Sequence, residues 1–174
     1  MATTRKPTEQ KRRPLGLLRA FQATPQQLQK LEMIEQLDLS REKAAMLAEK
    51  GCEPVHIELA ERELKRFLAL SLLFKSPEYP FAPSRPVDAL WHQFILNTRK
   101  YRNFCDMVYG HYLDHKPESS RAKCQALYAG EVFEGTRTCL RQAFGYLPEM
   151  MWADEVVCNS CQSGGDGPFG GYYS

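Results

Sequence analysis

No stretch of this chain is long and apolar enough to cross a membrane as a helix. The apolar run Leu15 to Phe21 is too short for the core of a secretion signal and is broken by Arg19. The Arg- and Thr-rich start is also not expected to act as a mitochondrial presequence, since Pro7, Pro14 and a polar run interrupt it. The expected location is cytoplasmic. No glycine loop of the phosphate-cradling kind is present, because the glycines from Gly164 to Gly171 do not precede a helix. No Gly-x-Ser-x-Gly elbow appears, which removes the usual signal of a serine hydrolase. There is no internal repeat and no convincing period-two alternation, so neither a solenoid nor a sheet is expected.

The chain of 174 residues with 43% apolar content suits one domain with tails. The net charge of +2 is unevenly spread. Residues 1–20 carry Arg5, Lys6, Lys11, Arg12, Arg13 and Arg19 against Glu9, so the rest of the chain is slightly acidic. A local basic segment of this kind can bind phosphate-rich polymers or simply be solvated. The six cysteines are Cys52, Cys105, Cys124, Cys139, Cys158 and Cys161. Without a secretion signal, reduced thiols are the default. Cys105 and Cys139 fall in apolar helical patterns, where cysteine behaves as a small core residue.

The expected class is all-α, a compact irregular bundle of five or six helices over residues 23–157. A disordered basic tail is expected over 1–22 and a flexible glycine-rich tail over 158–174. Thr24, Pro25 and Gln27 form a capping-box pattern ahead of Leu28, Leu31, Ile34 and Leu37. Ser40 restarts a helix with Ala44, Leu47 and Ala48 expected inward, up to Gly51. From Pro54 to about Lys75, Ile57, Ala60, Leu64, Phe67, Leu68 and Leu72 recur at helical spacing. Four prolines, Pro77, Pro80, Pro83 and Pro86, make Ser76 to Pro86 a stiff loop with Tyr79 and Phe81 as anchors. One or two helices follow between Ser120 and Phe144, closed by Gly145, and Trp152 is a further anchor.

The most informative segment runs from Pro86 to Gly110 and reads as one helix carrying Asp88, Trp91, His92, Thr98, Tyr101 and Cys105. At 100° per residue, Asp88 and His92 are neighbours one turn apart, and Arg99 and Asn103 fall within about 20° of His92. Cys105 lies about 140° from His92, so a Cys/His dyad within this helix is excluded. A carboxylate beside an imidazole can fix its tautomer and raise its basicity, in the outer shell of a metal site or in acid–base catalysis. The same pair can equally cap the first turns of the helix. Trp91, Thr98, Tyr101, Cys105 and Gly110 read as the structural part of the segment. His111 and His115 are also four apart, and with Cys158-x-x-Cys161 they have the composition of a tetrahedral zinc site. Their order is unusual for one.

The chain resembles the glycine-rich domain-containing protein family. The likeness runs from Arg62 to Leu70, then through Pro83-Ser84, Val87-Asp88, Trp91-His92, Ile95-Leu96, Thr98, Tyr101, Cys105, Gly110, His115 and Pro117. It covers about residues 28–152. Members of that family often have a second histidine where this chain has Phe94, and paired histidines where it has Asp114-His115. The resemblance implies a helical module followed by a glycine- and cysteine-containing tail, and no particular reaction.

Two functions of different class therefore stand side by side. One is a non-enzymatic interaction or scaffold module whose partner is another protein, with a groove near Trp91, His92 and the proline loop. The other is a zinc- or iron-binding protein, or a metal-dependent enzyme, drawing on His92, His111, His115, Cys158 and Cys161 with Asp88 in the outer shell. A third treats Cys158, Ser160, Cys161 and Ser163 as a peptide-like tail open to modification. Nucleic-acid binding through Arg5 to Arg19 ranks last, since no reading motif accompanies it.

Overall fold

The computed structural model describes residues 12–48, 53–74, 81–115 and 123–153. Arg5, Lys6, Lys11, Gly51, Cys52, Lys75, Pro77, Tyr79, Pro80, Pro117, Ser120 and the segment with Cys158 and Cys161 lie outside them. So do the side chains of Cys124, Leu127 and Tyr128. Among the described residues the chain is all-α, with seven helices and no strand. They are α1 (Pro25–Glu35), α2 (Ser40–Ala48), α3 (Pro54–Leu73), α4 (Arg85–Leu96), α5 (Thr98–Val108), α6 (Lys123–Phe144) and α7 (Glu149–Trp152).

The twenty-residue α3 is the axis of the bundle, and α1, α2, α4, α6 and α7 all pack on it. Ile57, Ala60, Leu64, Phe67 and Leu68 are buried along it as the apolar spacing predicts, whereas towards its end Leu70 and Leu73 are buried and Leu72 is half-buried. α1 begins with the capping box read from the sequence: Thr24 Oγ1 accepts from Gln27 N at 3.1 Å and Gln27 Oε1 accepts from Thr24 N at 2.8 Å.

The packed chain starts earlier than residue 23. Leu15 and Leu17 are buried, so the expected disordered tail over 1–22 does not extend through residues 12–22. The cause is a set of polar fastenings. Leu15 N donates to Glu35 Oε1 at 3.0 Å, and Arg66 Nε donates to Leu15 O at 3.2 Å. Arg13 Nη1 donates to the carbonyls of Leu18 and Phe21 at 2.5 and 2.9 Å. One of the basic residues offered as a nucleic-acid contact is thus spent on holding its own turn.

α2 turns the opposite way from expectation. Ala44, Leu47 and Ala48 are exposed, and Glu42 and Met46 are buried. The Glu42 carboxylate accepts from Lys100 Nζ at 2.8 Å and from Asn97 Nδ2 at 3.1 Å. A buried, paired acid outweighs the exposure of two alanines and a leucine. Asp38 closes the turn ahead of α2: hydrogen bonds from the Ser40 hydroxyl and amide hold its carboxyl below the usual range.

The same buried Glu42 breaks the segment read as one helix from Pro86 to Gly110. Asn97, with φ −81° and ψ 63°, leaves the helical region and divides it into α4 and α5. An asparagine whose amide is engaged elsewhere is a weak helical residue. The two halves then pack on each other, with Phe94 against Tyr101 and Phe104 at ring separations of 5.0 and 5.4 Å. Gly110, at φ +77°, ends α5 as a left-handed cap.

α6 and α7 close the bundle. Phe133, Leu140, Ala143, Phe144, Met151 and Trp152 are buried. Thr136 Oγ1 accepts from Ala82 N at 2.9 Å and fixes the end of the proline loop. No described helix is long and apolar enough to cross a membrane.

Candidate functional site

The first two turns of α4 supply Asp88, Trp91 and His92. Asp88 lies in the first turn, where the exposed amides of a helix favour an anion. The chain after Gly110 runs back across this end of α4 and delivers His115. The Asp88 carboxylate then stands between two imidazoles. His115 Nε2 is 2.7 Å from Asp88 Oδ1, and His92 Nδ1 is 3.2 Å from Asp88 Oδ2 and 3.1 Å from the Asp88 carbonyl. The two imidazole rings meet edge to face with centroids 4.4 Å apart. The Trp91 indole forms one wall, at 4.6 Å from the His115 ring. The side chains grade from inside to outside: His115 is 11% exposed, Asp88 21% and His92 38%.

The donor atoms of Asp88, His92 and His115 all lie within 4.8 Å of one another. This group can hold a metal. Protein oxygens and nitrogens bound to one first-row ion at about 2.0–2.2 Å stand about 3.0–3.5 Å apart. The 2.7 Å contact of His115 is to Oδ1 and the 3.2 Å contact of His92 is to Oδ2, so holding one ion through a single Asp88 oxygen needs a modest rearrangement of the three side chains. Donor type agrees, since imidazole and carboxylate suit zinc and iron. Without a metal, the same atoms form a hydrogen-bonded clip between α4 and the 111–115 segment.

Asp88, expected behind His92 in an outer shell, has its carboxylate within hydrogen-bond reach of both His92 and His115. His115 was grouped by spacing with His111 and the Cys158/Cys161 pair, and the structure groups it with Asp88 and His92. His111 is exposed, tilted against the Tyr109 ring at 6.1 Å, and is not in the group. Cys158 and Cys161 lie outside the described residues.

The structural residues divide. Trp91, Tyr101 and Cys105 are buried, whereas Thr98 is exposed at the start of α5 and does not share in their packing. Trp91 Nε1 donates to the Tyr101 hydroxyl at 3.2 Å, and that hydroxyl donates to the Leu113 carbonyl at 2.7 Å. Residues ten apart on one straight helix would be about 15 Å apart along its axis. The Trp91–Tyr101 bond therefore depends on the break at Asn97. Cys105 sits beneath this corner, with the Leu113 carbonyl and the Tyr101 hydroxyl as neighbours, and burial pushes its thiol up. A buried thiol held protonated is neither a nucleophile nor a metal ligand.

The groove expected near Trp91, His92 and the proline loop involves residues 75–80, which lie outside the described ones, and Trp91 itself is buried. Among the described residues a depression of about 550 Å³ lies between α1 and α5, lined by Met33, Leu37, Arg99, Asn103, Phe104 and Met107 among others. Arg99 and Asn103 face this depression. The prediction that they share the His92 face assumed an unbroken helix.

A family model described as UCP032817-like matches residues 29–130, a span that contains Asp88, His92 and His115. No curated protein and no solved structure matches the chain.

Proposed function

This chain belongs to the UCP032817-like family, and on that premise we propose that it is a helical module that binds one divalent transition metal at Asp88, His92 and His115. The observation behind this is the convergence of three donor side chains within 4.8 Å, one of them drawn from 27 residues further along the chain. Two imidazoles and one carboxylate select zinc or ferrous iron over calcium or magnesium, which prefer all-oxygen sites. Three protein ligands leave room for exogenous ones, in contrast to a closed four-ligand structural site. The metal would supply Lewis acidity at the partly open His92 side. The chain's own contribution is to hold the donors together and to shield His115 under Trp91. The resemblance to glycine-rich domain-containing proteins, proposed on residues from Arg62 to Pro117, adds no reaction to this reading.

The test is metal analysis of the full chain purified without a histidine tag. About one equivalent of zinc or iron per chain is expected, and less than about one-tenth of an equivalent, before or after incubation with either metal, sinks the reading.

A second reading, an interaction module with a protein partner, is favoured by the depression between α1 and α5. Met107, on its rim, is 62% exposed, beside Leu37 and Met33. An apolar side chain left this open beside an exposed arginine suits an amphipathic partner with an acidic residue. A Met107→Asp chain that retains every partner of the wild type contradicts it.

A further inference from the structure

We infer that Tyr101 is the positioning residue of the candidate metal site, acting through the Leu113 carbonyl to set His115 against Asp88. The inference rests on the metal reading above and names what makes its third ligand available.

Asp88 and His92 share α4, and one turn of helix fixes their spacing. His115 has no such support. It follows the left-handed Gly110 and belongs to no helix or strand. Its approach depends on whatever anchors residues 111–115 to the bundle. The anchor deepest in the fold is the hydroxyl of Tyr101, whose side chain is fully buried and whose ring is clasped edge to face by Phe94 at 5.0 Å and Tyr112 at 5.3 Å.

The direction of the bonds is fixed by chemistry. An indole N–H can only donate, so the Tyr101 oxygen accepts from Trp91 Nε1. The phenolic oxygen lies 2.7 Å from the Leu113 carbonyl, to which it donates, with the Cys105 thiol as a second neighbour of the same hydroxyl. Burial pushes the phenol's pKa up, which favours the protonated, donating form. Leu113 is two residues from His115, which caps the slack between them at about 7 Å of chain. Trp91 completes the frame by also touching the His115 ring at 4.6 Å. One relay, Trp91 to Tyr101 to Leu113, therefore ties α4 and α5 to the ligand that neither helix carries. A loosened Leu113 carbonyl frees residues 111–115 to shift, and an imidazole no longer held in place is a weaker metal ligand.

The experiment is zinc competition against a chromophoric chelator, with the full-length wild type, Tyr101→Phe, His115→Ala and the double variant. Tyr101→Phe is expected to weaken zinc by about tenfold or more, within the range for outer-shell groups. His115→Ala is expected to weaken it further. The double variant is expected to match His115→Ala alone, because Tyr101 acts only through that ligand. Cobalt absorption follows the same series and reports the loss of one nitrogen donor rather than of the fold. Should Tyr101→Phe unfold in melting curves, Trp91→Phe, which removes the donor to the phenol and trims the wall against His115, replaces it, and a loss that disappears in the His115→Ala background is expected. A Tyr101→Phe affinity within twofold of wild type overturns the inference. So does an equal loss with and without His115. Both outcomes leave the metal reading standing, whereas a wild type that takes up no zinc overturns both.

Discussion

An Asp88→Asn chain is expected to lose more than about 100-fold in zinc affinity, beyond the range seen for outer-shell groups, while remaining folded. Asn has the shape of Asp and keeps an oxygen to accept from His115, so the clip at 2.7 Å survives in outline. What disappears is the anion. In the wild type that anion serves two imidazoles at once, at 2.7 and 3.2 Å, and is the only charged donor of the three. A neutral amide oxygen is a far weaker partner for a divalent ion. The cost to folding is small by comparison, about 0.3–1 kcal/mol for an anion lost from a helix N-terminus. Melting curves without metal should therefore nearly overlay, while competition titrations separate widely. Zinc binding within tenfold of wild type contradicts the assignment of Asp88 as a ligand.

The largest loss of stability is expected from Glu63→Ala, at about 3–5 kcal/mol, the cost of breaking a buried ion pair from one side. Glu63 has no exposed side-chain surface. Oε1 accepts from Arg62 Nε at 3.0 Å and Arg66 Nη1 at 3.1 Å, and Oε2 accepts from Trp152 Nε1 at 3.0 Å. This one carboxylate ties α3 to α7. Its removal leaves the Trp152 N–H buried without an acceptor and Arg66 without its counter-charge. Burial already pulls the Arg66 guanidinium down from its ordinary value, and Glu63 opposes that pull. Arg66 in turn holds Leu15 O at 3.2 Å and lies over the Phe144 ring at 5.3 Å, so the damage spreads to the N-terminal turn and α6. For a chain of this size the melting temperature should fall by about 10 °C or more. Urea denaturation at neutral pH measures the difference directly. A loss below about 1 kcal/mol contradicts the role given to Glu63.

The features legible in the sequence are those decided within a turn or two. The Thr24–Gln27 box, the long apolar face of α3, the stop at Gly110 and the Asp88–His92 neighbourhood all follow from residues three or four apart. The features that were not legible depend on distant partners. The break at Asn97 needs Glu42, 55 residues earlier. The inverted face of α2 has the same source, since counting apolar residues assigns a glutamate outward. Glu63 sits among charged neighbours on α3, and only Trp152, 89 residues later, explains its burial. His115 pairs with Asp88 across 27 residues; the sequence offers Asp88, His92 and His115 among its candidate groups, but local spacing joins His115 only to His111. A rejected Cys/His dyad survives as a rejection, although its reason has changed from the angle around one helix to burial of Cys105 beneath a corner.

The most direct measurement is the anomalous difference map of a crystal of the full chain soaked in zinc. One peak is expected, within about 2.0–2.2 Å of an Asp88 oxygen, a His92 nitrogen and a His115 nitrogen. The contradicting result is a map with no peak there, the Asp88–His115 hydrogen bond intact and zinc bound elsewhere or not at all.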